Sequence, residues 1–147
     1  MNTKKVKDYI YTGLGFPVKL YDVTLVKVND EWHPKLDVKK IADTEIHNLI
    51  TQKNRLTGNQ IKFIRSYFKM SLRDFEKVVN ESHTAIHKWE LSANKQTKMD
   101  INIEIILRLF IYNFLYKSTK ENKIKFYDNF IKIKNALYKH SEECVVC

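Results

Sequence analysis

The stretch SLRDFEKVVNESHTAIHKWE, residues 71–90, constrains the fold more than any other part of the chain. It holds two short runs of helical periodicity that break at Asn80-Glu81-Ser82. Ser71 with Asp74 has the spacing of a capping box, and Ser82 stands at the N-cap position of the second run. Asn80 falls where the chain must turn sharply, and asparagine tolerates the left-handed backbone region better than most residues. Two such short helices bury too little surface to persist alone, so flanking helices have to cover them. The spacing turns Phe75, Val78 and Val79 inward from the first helix and Ile86 and Trp89 inward from the second. His83, Thr84, His87 and Lys88 are left on the outer side of the second.

The cover is legible on both flanks. Thr57 with Gln60 forms a second capping box, followed by Ile61, Phe63, Ile64, Tyr67 and Phe68 at helical spacing. Asp100 caps INIEIILRLFIYNFLY, which is apolar on nearly every side and so predicts burial on more than one face. Glu104, Arg108 and Asn113 interrupt that run, which is too short and too charged to span a bilayer. A last helix is predicted over residues 120–138, and an earlier one from Val38 to about Gln52, capped by Asp37. Toward the N-terminus, Gly13 and Gly15 suggest an irregular segment over residues 1–16. The segment from Val18 to Leu36 reads as a β-hairpin, with VTLVKV and EWHPKL joined through Asn29-Asp30 and Pro34 confining the second strand to an edge. Three glycines and two prolines in 147 residues agree with long, mostly helical elements. The expected fold class is therefore mainly α: a helix-turn-helix bundle with a small N-terminal β-hairpin and two C-terminal helices. The expected divisions are 1–52 for hairpin plus helix, 53–98 for the helix-turn-helix core, and 99–147 for the C-terminal helices and a disordered tail.

Charge points to the partner. The net charge is +9. Residues 53–98 hold ten Lys and Arg against four Asp and Glu, a net +6 in less than a third of the chain. A concentrated positive field suits nucleic acid first, and an acidic surface second. A helix that starts at a capped N-terminus and exposes short polar groups and a cation suits the DNA major groove. The preceding helix would cross the backbone, with Arg73 and the amides near Ser71 on phosphates. Lys62, Arg65 and Lys69, on the helix before, are either further phosphate contacts or solvated.

The residues carry a family resemblance. MSLRDFEKVVNESHTAIHKWE resembles the helix-turn-helix of Cro-like (XRE-family) regulators, with Met70, Ser71, Phe75, Val79, Ser82, Ile86, Trp89 and Glu90 on matching positions without a gap. LTGNQIKFIRSYFKM, residues 56–70, is similar to the helix preceding the DNA-binding unit in MqsA/HigA-type (YgiT-type) antitoxins. GLGFPVKLYDV is similar to N-terminal segments of the same broad group. The chain departs from the pattern at Leu72 (commonly Gln), Glu76 (usually Ala), Asn80 (Gly) and Glu81 (apolar). MqsA carries a zinc domain, but the hairpin region here has no cysteine, so that site does not carry over.

The resemblance implies a sequence-specific transcriptional repressor binding duplex DNA as a homodimer on a palindromic operator. It also implies a possible antitoxin role, with a cognate toxin as partner and autoregulation of the operon. The DNA-contacting set on this reading is Ser71, Leu72, Arg73, Ser82, His83, Thr84, Ala85, His87 and Lys88. The apolar excess of the two C-terminal helices is assigned to dimerisation. A phage-type or stand-alone repressor, or a protein-interaction module without DNA, is the alternative.

Other chemistry has weaker support. His83 and His87 have i,i+4 spacing but lack the Glu of a zincin helix, so no metal site is expected. Cys144-x-x-Cys147 beside His140 is a lone pair at a terminus, read as tail rather than metal or redox site. No phosphate loop, paired carboxylates or nucleophile elbow is present, so neither enzyme activity nor a cofactor is expected. The aromatics Phe63, Tyr67, Phe110, Phe114 and Phe130 lie at core spacing, which favours packing over RNA stacking. The first residues lack a signal-peptide run, so a soluble, cytoplasmic protein with no membrane partner is expected.

Overall fold

A computed structural model describes residues 2–116 and positions 131, 132, 135, 137 and 139. The chain divides into two compact units, Met1–Thr44 and Glu45–Cys147.

The first unit corrects the expected fold class. It holds a three-stranded antiparallel sheet in the order β1-β2-β3, not a hairpin. Strands β1 (Thr3–Tyr11), β2 (Val18–Val28) and β3 (Glu31–Pro34) form it, and β1 occupies the segment expected to be irregular. Its sequence, TKKVKDYIY, is lysine-rich and mostly exposed, with Val6, Tyr9 and Tyr11 half-buried, so it shows no apolar alternation. What makes it a strand is long-range pairing with β2, in register from Thr3 opposite Val26 to Tyr11 opposite Val18. The glycines act one step later, with Gly15 at φ 100° in the β1–β2 connection. Strands β2 and β3 pair as a hairpin across Asn29 and Asp30, both at positive φ (51° and 63°), as a two-residue turn matched to strand twist requires. Pro34 ends the edge strand.

Between residues 38 and 115, five helices follow. Helix α1 (Val38–Thr51) carries the chain into the second unit, where Ile46, Leu49 and Ile50 are buried. Asp37 accepts from the amide of Lys40 at its start (3.1 Å). The others are α2 (Gly58–Tyr67), α3 (Leu72–Val79), α4 (His83–Glu90) and α5 (Ile101–Leu115). Helix α4 packs on α2 and α3, and α3 packs on α5. Ile61, Ile64, Phe75, Ile86, Leu107 and Ile111 are completely buried. The predicted helix over residues 120–138 lies largely outside the described residues, and its described positions 131, 132, 135 and 137 are helical. Cys144, Cys147 and His140 lie outside them, as does Phe130. No helix among the described residues is long and apolar enough to cross a membrane.

The charges that interrupt α5 have a structural use. Glu104 is fully buried, and its carboxylate accepts from Arg55 Nε (2.9 Å), the Leu56 amide (3.0 Å) and Arg108 Nη2 (2.9 Å). Arg108 also donates to the carbonyls of Ile50 (3.2 Å), Gln52 (2.6 Å) and Asn54 (2.8 Å), and Arg55 donates to that of Met99. Burial pulls the Arg108 guanidinium below its ordinary value, while Glu104 opposes the shift. This network ties the α1–α2 connection to α5 through the backbone carbonyls of Ile50, Gln52 and Asn54. Phe114, expected in the core, is 65% exposed and lies edge-on to Phe68 (4.7 Å between ring centres).

Candidate nucleic-acid interface

The pair α3–α4 is built by its caps and its turn. Ser71 Oγ accepts from the Asp74 amide and Asp74 Oδ2 accepts from the Ser71 amide, both at 3.1 Å, closing the capping box. Those two contacts hold the Asp74 carboxyl below its ordinary value, the backbone bond counting most. Asn80 takes φ 55°, ψ 44°, and its amide returns to the carbonyl of Glu76 (2.7 Å). Ser82 then caps α4 by accepting from the Ala85 amide (3.2 Å). Phe75 and Val79 of α3, and Ile86 and Trp89 of α4, are buried, while Val78 is half-buried. A close approach fixes the other end of α4. A Cβ on Gly58 would stand 2.4 Å from the carbonyl oxygen of Trp89, so the start of α2 lies against the end of α4.

The sequence-selected residues come together along α3 and α4. Ser71, Arg73, Ser82, His83, Thr84, His87 and Lys88 are exposed, and Leu72 and Ala85 are half-buried. The outer edge of α4 thus offers a hydroxyl, two imidazoles and an ammonium, on a helix whose other side is anchored by Ile86 and Trp89. Lys62, Lys69, Lys77, Lys95 and Lys98 are also exposed in the second unit. Both capping serines use their oxygens as acceptors, which leaves each hydroxyl its proton to donate.

Two features of the site are absent from the sequence reading. First, Arg65 is no free cation. Its guanidinium clamps Glu90 through Nε (2.8 Å) and Nη2 (3.4 Å) and donates to the Met70 carbonyl (3.2 Å). It braces α2 against α4 and neutralises Glu90, the last residue of the Trp-Glu pair.

Second, Glu76 and His83 are partners across the turn. Glu76 Oε1 accepts from the backbone amide of His83 (2.5 Å) and faces its Nδ1 at 2.7 Å. The His83 hydrogen bonds, the side-chain one first, hold the Glu76 carboxyl below its ordinary range. A carboxylate at this packing position therefore serves as a second cap for α4, taking up its first amide. The spacing His83–Glu76 spans seven residues and a turn, so no helical period could have revealed it. Among the described residues, no group of three or more His, Cys, Asp or Glu is placed to hold a metal.

Compared with family models, with curated proteins and with solved structures, the chain finds no match in any of the three.

Proposed function

We propose that the chain is a sequence-specific transcriptional repressor that binds duplex DNA as a homodimer on a palindromic operator. The observation that carries this reading is the exposed edge His83–Thr84–His87–Lys88 on a capped helix buried on its other side by Ile86 and Trp89. A helix of this kind fits the major groove with its first turn against base edges. Arg73 and the Ser71 hydroxyl sit at the start of α3, where a backbone phosphate would pass. The lysines around the pair supply the sequence-independent attraction. Repression follows by occlusion: two recognition helices on successive groove faces exclude polymerase.

The test is selection from a random duplex pool. An enriched inverted repeat that disappears with Lys88→Glu supports the reading. No enrichment, or enrichment unaltered by Lys88→Glu, refutes it. The antitoxin role rests on the family resemblance. It requires a toxin that co-purifies with the full chain and is silenced by it.

A further inference from the structure

The Glu76–His83 pair sits inside the proposed reading edge, and it restricts what His83 can say to a base. An ionised carboxylate only accepts hydrogen bonds, so the nitrogen facing Glu76 Oε1, Nδ1, carries a proton. The same oxygen holds the His83 backbone amide, which fixes the residue and its ring together. Of the ring's polar atoms only Nε2 is left. His83 is the first residue of α4, in the turn that reaches base edges in this docking mode. Its side chain is 61% exposed, so Nε2 is open to a ligand although Nδ1 is not.

Resting on the DNA-binding reading above, we infer that Glu76 is a positioning residue that commits Nδ1 of His83 to donation. The Nε2 edge then sets base preference at one operator position, as an acceptor. The base partners follow from groove chemistry. An Nε2 acceptor takes a hydrogen bond from the adenine N6 or cytosine N4 amino group and finds no donor on guanine N7 or O6. With Nδ1 held by Glu76, the ring offers Nε2 rather than Nδ1.

The experiment is duplex selection with the full chain, for the wild type, His83→Ala and Glu76→Gln. Ser82 still caps α4 in every variant, and circular dichroism checks that helix content is kept. The wild type should select an amino-bearing base at one operator position. That base should be bound about three- to tenfold more tightly than guanine. His83→Ala should lose the preference. Glu76→Gln should bind the same operator with the preference at that position relaxed, because the amide can present either a donor or an acceptor to the ring. Ring nitrogen NMR of the free protein should find Nδ1 protonated in the wild type and a tautomer mixture in Glu76→Gln.

An operator that is selected and lost on Lys88→Glu, but identical in all three proteins, overturns this inference alone. Failure of the wild type to select any duplex overturns the DNA-binding reading as well.

Discussion

Replacing Glu104 by leucine should unfold the second unit far more readily than any surface change. The carboxylate is fully buried and takes three N–H donors. Leucine removes all three acceptances and leaves the Arg108 guanidinium, whose side chain is 3% exposed, as a buried cation facing hydrocarbon. Breaking a buried pair from one side costs about 3–5 kcal/mol. The orphaned Leu56 amide belongs within that figure, because Arg108 keeps its three carbonyl acceptors. For a unit of this size the cost lowers the unfolding midpoint by about 12–20 °C. The chain has two tryptophans, so a Trp32→Phe background leaves Trp89, in the core of the second unit, as the fluorescent reporter. Urea unfolding followed at Trp89 measures the difference directly. Arg108→Leu should cost a similar amount, since it takes its donors from three carbonyls and leaves Glu104 with Arg55 and the Leu56 amide. A loss below about 1 kcal/mol for Glu104→Leu would mean that the network contributes no more than a surface ion pair, and the account of how α5 holds the α1–α2 connection would fail.

Three further outcomes follow from the same geometry. Gly58→Ala should destabilise the second unit by about 1–3 kcal/mol, because the new methyl meets the carbonyls of Trp89 and Glu90 at 2.4 and 2.7 Å; an unchanged urea midpoint would contradict the close approach. Acid should weaken the α3–α4 pair: the carboxyls of Asp74 and Glu76 titrate lower in the folded chain than their ordinary 3.8 and 4.5. Their contribution is thus complete above those values and is lost as pH falls through the lowered ones, and Glu76→Gln should flatten that acid limb in a pH series of thermal melts. Lys88→Ala should reduce the slope of log affinity for duplex DNA against log salt by about 0.9 if its ammonium neutralises one phosphate, and an unaltered slope would show that it neutralises none.

The helical part of the second unit was largely legible because its signals are local. Thr57, Ser71, Ser82 and Asp100 each mark a helix start by a cap within three residues. Asn80 marks the turn by its tolerance of positive φ. What escaped is what only tertiary structure creates. Strand β1 has no pattern of its own and exists by pairing with β2. Glu104 and Arg108 read as interruptions of an apolar helix, yet they close a network with Arg55, 49 residues away from Glu104 in sequence. Arg65 read as a free cation, and only the fold brings Glu90 to it. Glu76 read as a misfit at a packing position, and its partner His83 becomes visible once the turn folds the two helices together.

The central claim is that the outer edge of α4 meets DNA. The measurement that addresses it most directly is amide chemical-shift mapping of the full chain during titration with the selected operator duplex. The account predicts that the largest changes fall on residues 71–73 and 82–88, with the sheet of the first unit little affected. Changes confined to the sheet, or to α5 and beyond, with α4 silent at saturation, would contradict it.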